Sequence, residues 1–285
     1  MAGLTNISFY NAQRSMGTAQ AGLAQATQRL STGLRINSSK DDAAGLAIAE
    51  RMNSQNRGMA VAVRNANDAI SMSQTAEGAF GNAADSLQRM RELAVQARNA
   101  TNTDSDKDAL DQEFGQLAQE VQRIFAGTTF NGKAVVGADA GAQTYQIGAG
   151  TAAADSLTIT TTNMTTASTI TAVAGTDLAG AGRAVIDNTA DSTALGTVID
   201  DIDAALATVN TERTTYGAVQ NRFDAVIKNL STSMEASTAS RSRIMDADFA
   251  TETANLAKYQ VLQQASASML SQSNQQGGWV LKLLA

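Results

Sequence analysis

Apolar residues recur at intervals of seven along most of this chain. From Phe9, steps of seven reach Met16, Leu23 and Leu30, and Ala12, Ala19 and Ala26 lie three residues past the first three. That period is an a/d seam with small d positions, the pattern of a helix that packs along its length. A second seam runs Ala62, Ala69, Ala76, Ala83, Met90 and Ala97, with Ala66, Phe80, Leu87 and Ala94 beside it. A shorter third holds Leu110, Phe114, Leu117, Val121 and Ile124. The fourth is the most regular: Leu195, Ile202, Val209, Tyr216, Phe223 and Leu230, flanked by Ile199, Leu206, Ile227 and Met234. A helix of roughly 40 residues over that stretch would be about 60 Å long, beyond the usual globular length. A last helix fits 247–273, with Leu256, Tyr259, Leu262 and Met269 assigned to one side.

Between the third and fourth seams the pattern changes. Residues 151–176 hold 10 Thr among 26 and almost no charge. Leu157-Thr158-Ile159-Thr160 alternates as a strand does. Asn131-Gly132 is a hairpin signal, followed by Val135-Val136 and Tyr145-Gln146-Ile147. The sequence therefore predicts a mainly α fold: long antiparallel helices in a rod-like coiled-coil bundle, with a small β-hairpin/loop insertion over 128–190. The terminal seams are rich in Ala, and at about 25 cal/mol per Å² a buried Ala contributes far less than a buried Leu. The terminal helices are therefore expected to need partners from other copies. Phe9, Met16, Leu23, Leu30, Leu256, Tyr259, Leu262 and Met269 are the candidate self-assembly residues.

Composition narrows the chemistry. In 285 residues there is no Cys, no His and no Pro. Disulfides, thiolate or imidazole metal sites and Ser-His-Asp catalysis are excluded, and unbroken helices are favoured. The net charge is −6, yet residues 1–40 and 253–285 hold six cations and no acid. An acidic body with four cations spread over 40 residues offers no nucleic-acid surface. No stretch has the roughly 18 apolar residues of a membrane span, and the start lacks a Sec-type leader; on these grounds alone the chain would be placed in the cytosol.

Three motifs resemble active sites. Gly127–Lys133 almost spells a phosphate-binding loop, but Ala134 replaces the Ser or Thr that would hold Mg²⁺ and a helix precedes it, so a hairpin turn is expected. Asp104, Asp106 and Asp108 open like a calcium loop, but Ala109 and Gly115 stand where Gly and Glu are needed; acids at a helix N-terminus are expected instead. Asp41-Asp42 and Asp246-Ala247-Asp248 are carboxylate pairs of the kind that could do acid–base work, but they read as caps, turns and ion pairs. A middle segment of about 60 residues lacking His and Cys is too small for a convincing active site. The chain is expected not to be an enzyme and to hold no cofactor or metal.

Longer stretches carry a family likeness. The run Leu30-Ser31-Thr32-Gly33-Leu34-Arg35-Ile36-Asn37-Ser38-Ser39-Lys40-Asp41-Asp42-Ala43-Ala44-Gly45-Leu46-Ala47-Ile48-Ala49 resembles the amino-terminal signature of bacterial flagellin, as does Leu87–Gln96. In the carboxyl half, Gly217–Phe223, Ser240-Arg241-Ser242-Arg243-Ile244-Met245-Asp246-Ala247-Asp248-Phe249-Ala250-Thr251-Glu252 and Val261–Ala265 agree with it. The likeness covers about 1–150 and 190–285; the Thr-rich middle matches no pattern.

The resemblance implies a short flagellin with little or no outer variable domain. Residues 1–40 with 253–285 would form a terminal, inner-tube domain, 41–150 with 191–252 an outer-tube domain, and 151–190 a variable solvent-facing segment. The implied function is the structural subunit of the flagellar filament, secreted through type III export to an extracellular, motility-driving homopolymer. That route reverses the cytosolic placement. Implied partners are other copies, an export chaperone, the cap and hook-junction proteins, and the vertebrate Toll-like receptor for flagellin; no nucleic acid and no membrane insertion are implied. The receptor-recognition candidates are Arg89, Leu93 and Glu113, with lateral packing of subunits as the alternative role. A hook–filament junction protein and a flagellin-like surface glycan-binding protein are the alternative functions, although residues 146–215 have no aromatic on which a sugar could stack. Gly277-Gly278 stands where flagellins commonly have Pro, and a looser joint is expected there.

Overall fold

The computed structural model describes residues 7–284, with side chains described through residue 275. These residues form α1 (Ile7–Thr32), α2 (Ala43–Ala97), α3 (Asp104–Gly127), β1 (Thr129–Phe130), β2 (Lys133–Ala134), β3 (Ala142–Gln146), β4 (Ser156–Thr160), α4 (Ser168–Ala174), α5 (Ser192–Met245) and α6 (Phe249–Leu284). The mainly helical class holds, and every seam read from the sequence lies on a helix. The helices run further than the seams: α5 spans 54 residues and α6 spans 36, continuing through Gly277-Gly278. Helix α4 lacked a readable period because seven residues are too few to show one. The chain divides into two compact units: Arg57–Met234, and the residues up to Asn56 together with those from Glu235 on.

In the Arg57–Met234 unit, the α2 seam from Ala62 to Ala97 and the α5 seam from Leu195 to Phe223 are buried throughout. Phe80 is central. Its ring lies 5.9 Å from Phe125 and 5.7 Å from Tyr216. On α3 the buried stripe is Phe114, Ala118, Val121 and Phe125, while the expected Leu110, Leu117 and Ile124 only flank it. The stripe is set by the large aromatic residues, which fill the deepest space.

The Asn131-Gly132 signal produces the expected hairpin. Strands β1 and β2 are antiparallel, and Asn131 and Gly132 take φ of 50° and 80°, the double positive φ that a type I′ turn requires. Strands β3 and β4 pair antiparallel, with Tyr145 opposite Leu157. Leu157 and Ile159 join Ala66, Ala69, Val219 and Phe223 in a second cluster, where the Tyr145 ring stands edge-on to Phe223 at 5.6 Å. Burial pushes the Tyr145 hydroxyl up to about 12.

The 151–190 segment differs from its expected solvent-facing character. Met164, Ile170, Val173, Ala174 and Ile186 are fully buried in the main core. They are widely spaced among Thr, Ala and Gly, so they give no period, yet each finds space against the helices. Residues 183–188 are strapped to α3 by charge. Arg183 meets Asp111 through two bonds, of 2.9 and 2.5 Å, and Asp111 also accepts the Ile186 amide at 2.9 Å. A methyl on Gly115 would lie 3.1 Å from the Arg183 guanidinium, so the small residue lets the strap approach.

Burial alone would raise the Asp111 carboxyl, but the hydrogen bonds from Arg183 and Ile186 and the Arg183 charge outweigh it and hold the carboxyl below its ordinary value. A depressed acid contributes stability that is complete above the ordinary carboxylate pKa of about 4 and fades as pH falls through the lower folded value. Asp111→Asn is expected to cost about 2 kcal/mol at neutral pH. Thermal melts of both proteins against pH should converge as pH falls through the lowered folded value and the wild-type carboxyl protonates.

Glu212 lies three residues past the seam residue Val209 on α5 and is only 7% exposed. One of its carboxyl oxygens is buried with no hydrogen-bond partner among the described residues. A buried, unpaired acid is costly. Glu212→Leu should stabilise this unit by about 1–3 kcal/mol, read as a higher urea midpoint with an unchanged slope; an unchanged or lower midpoint would show that the carboxylate is satisfied.

Candidate assembly surface

In the other unit, α1 and α6 pack antiparallel. Arg29 on α1 bonds Glu252 on α6 at 2.9 Å, with both side chains largely buried. One heptad further along, the Tyr259 ring lies on Gly22, where an added methyl would be 2.5 Å from ring carbons. Another heptad on, Ser266 is buried, and a groove of about 600 Å³ lined by Ala12, Ser15, Leu262, Ala265 and Met269 opens between the helices.

On α1, Ala19 and Ala26 are buried and Phe9, Met16, Leu23 and Leu30 are half-buried, as the seam predicts. On α6 the face toward α1 is Glu252, Tyr259, Ser266 and Ser273, with Leu256 half-buried beside them. The expected one-sided set therefore splits. Leu256 and Tyr259 face inward, but Leu262 and Met269 are 42% and 64% exposed. Helical geometry explains the split: a residue three positions past a seam residue is displaced by about 60° around the axis, and Leu262 and Met269 follow Tyr259 and Ser266 at that spacing. The sequence could have shown this, had the small polar Ser266 and Ser273 been accepted as seam positions.

The consequence is that part of the apolar surface of α6 lies away from α1. Small and polar side chains are buried against α1, while Val261, Leu262 and Met269 face outward on α6 and Ile7 and Tyr10 do so on α1. Exposed apolar ridges of this kind mark association surfaces.

The start of α6 lies where the two signature stretches meet. Arg35 donates its amide to the Met245 carbonyl at 2.6 Å, Ala247 donates to the Gly33 carbonyl at 2.9 Å, and Leu34 and Asp246 form an antiparallel bridge. The Arg35 guanidinium adds a 2.7 Å bond to the Ile244 carbonyl. Gly33 has φ of 71°, a left-handed end to α1 that favours glycine. Ile36, Ala49 and Met245 form a small core beneath.

The acidic pairs serve as turn and cap acceptors, and Asp246 accepts the Ser242 hydroxyl. Asp41 accepts the Ser38 and Asn37 amides, whose bonds, with that of the Ser38 hydroxyl, lower its carboxyl. Asp42 accepts the Gly45 amide at the start of α2, and Asp248 accepts the Ala250 amide at the start of α6. Likewise, Thr103 and Asp106 form a capping box on α3. Among the described residues no cluster of acids could hold a metal, and no helix is long and apolar enough to cross a membrane.

The receptor candidates lie in the Arg57–Met234 unit. Arg89 bonds Glu113 at 2.8 Å and Glu92 at 3.0 Å, all at the surface. Leu93 is 0% exposed and belongs to the main core, so its side chain is not at the surface of this unit. Helix phase puts it beside Met90 and Ala94 on the inward stripe. The exposed apolar residue nearby is Val95, in a shallow groove with Gln88, Arg91, Glu92 and Gln96. Arg91 in turn holds Asp203 of α5 through bonds of 2.7 and 3.1 Å.

Comparison with known proteins settles the family. Residues 4–139 match the bacterial flagellin N-terminal helical region, and residues 199–284 match the bacterial flagellin C-terminal helical region. The chain belongs to the bacterial flagellin family. It is 41% identical to a flagellin of Halalkalibacterium halodurans, with 98% of each chain covered, and 34% identical to flagellin B of Vibrio anguillarum, again with 98% of each covered. A putative flagellar hook-associated protein from Vibrio parahaemolyticus, 14% identical, shares the fold with a TM-score of 0.60 over 72% of this chain and all of that one. This flagellin is a structural subunit of the flagellar filament, an extracellular homopolymer that serves motility. The residues between the two matched regions, 140–198, include the buried strap and α4.

Proposed function

We propose that this flagellin assembles through the outward apolar ridges of α1 and α6, each copy's Ile7, Tyr10, Val261, Leu262 and Met269 being covered by neighbouring copies. The observation that carries the reading is that Val261, Leu262 and Met269 of α6 are exposed while Glu252, Ser266 and Ser273 are buried. Such a surface is heterologous: it meets a different patch on the next copy, does not close into a ring, and grows a fibre. The inner-tube role of 1–40 with 253–285 and the outer-tube role of 41–150 with 191–252 follow from this reading, as do an export chaperone, the cap and the hook-junction proteins as partners. The role is purely structural, without catalysis or cofactor. Electron microscopy after salt-induced polymerisation of the purified chain tests it: helical filaments are expected, and discrete closed oligomers would refute it.

A second reading concerns the vertebrate Toll-like receptor for flagellin. The exposed, paired Arg89 and Glu113, with Val95 alongside, support a recognition patch on the monomer, with Leu93 acting from beneath by holding the helix. Arg89→Ala should weaken receptor binding at least tenfold, about 1.4 kcal/mol, without moving the melting temperature. Unchanged binding would leave lateral packing of subunits as the role of this pair.

A further inference from the structure

Met269 is the one methionine among the described residues whose side chain is exposed; Met72, Met90, Met164 and Met245 are buried, and Met16, Met52, Met59 and Met234 are intermediate. It stands on the outward ridge of α6 and lines the α1–α6 groove beside Leu262, Ala265 and Ala12. Thioether oxidation follows access, and it turns an apolar, flexible side chain into a polar, chiral one. At a buried methionine the sulfoxide would disrupt the fold, but at Met269 it sits in water and leaves the monomer intact.

We infer that Met269 is an oxidation site that controls whether a free subunit can polymerise, with a hydroperoxide as the oxidant. The sulfur attacks the terminal peroxide oxygen. The O–O bond breaks, a sulfur–oxygen bond forms, the thioether is oxidised to the sulfoxide and hydrogen peroxide is reduced to water. The inference rests on the assembly reading above. In the free subunit the sulfur is open to solvent; in the polymer a neighbouring copy covers it. The modified side chain must then enter the contact with a strongly polar S–O group in place of an apolar thioether, which disfavours addition of that subunit. Oxidation thus excludes damaged free subunits from the growing fibre, and assembly protects those already incorporated.

The test uses the full-length chain. Monomer and preformed polymer are exposed to the same dilute hydrogen peroxide, oxidised methionines are located by peptide mass mapping, and the concentration needed for salt-induced polymerisation is read by light scattering. Met269 should oxidise first in the monomer and be protected in the polymer, and the oxidised monomer should keep its helical circular dichroism while its critical concentration rises about tenfold. For Met269→Leu, the critical concentration measured before peroxide should not rise after it. Earlier oxidation of another described methionine, an unchanged critical concentration, or a Met269→Leu protein as peroxide-sensitive as wild type would each overturn the inference while leaving the assembly reading standing; equal oxidation of Met269 in polymer and monomer would overturn both. Failure of the untreated wild-type chain to polymerise would overturn both.

Discussion

Deletion of residues 253–285 yields a soluble chain that forms no filaments at concentrations about a hundredfold above those sufficient for the full-length protein. The loss is this large because one cut removes two surfaces. It takes away the Tyr259 and Ser266 face that partners α1 and the Val261, Leu262 and Met269 ridge that faces outward. Helix α1 loses the partner against which Ala19 and Ala26 are buried, and helix stability in proteins comes mostly from such packing. The Arg57–Met234 unit has its own core and should keep its melting transition, which separates failed assembly from failed folding. The checks are light scattering and electron microscopy after a salt jump, alongside thermal circular dichroism. Normal filaments from this truncation would mean that the terminal helices do not drive polymerisation.

Phe80→Ala has the largest expected effect on the stability of that second unit. Phe80 is one of the few large side chains in an α2 seam otherwise dominated by Ala, and its ring joins Phe125 of α3 to Tyr216 of α5. Truncation removes both aromatic contacts and leaves a cavity at the meeting point of three helices. Loss of about 3–5 kcal/mol is expected, with a fall in melting temperature of roughly 8–15 °C for a unit of this size. Ala76→Gly four residues away removes only a methyl and should cost about 1 kcal/mol, chiefly through helix propensity. If Phe80→Ala cost no more than that, the aromatic cluster would not be the centre of the core.

Much of this molecule is written in its seven-residue period. The seams on α2 and α5 bury as read, because Ala, Leu, Phe and Tyr at those positions leave one answer for the inward face. The Asn131-Gly132 hairpin is equally plain, since few other residue pairs tolerate two successive positive φ values. Two features are hidden for physical reasons. The 151–190 segment contributes single buried residues such as Met164 and Ile186, whose partners are distant in sequence, so no local period marks them. The face of α6 is obscured because its seam uses Ser266 and Ser273, and a reading that groups apolar residues on one side joins Leu262 and Met269 to Leu256 and Tyr259, from which the structure separates them. Leu93 shows the same hazard in reverse: a motif match marked it as a surface residue, and helix phase buries it.

Amide hydrogen exchange through α1 and α6, compared between dilute monomer and assembled polymer, tests the central claim most directly. The account predicts weak protection of both helices in the monomer and a rise of at least a hundredfold on assembly, while α2 and α5 between Arg57 and Met234 change little. Terminal helices already as strongly protected at high dilution as the Phe80 core would contradict it.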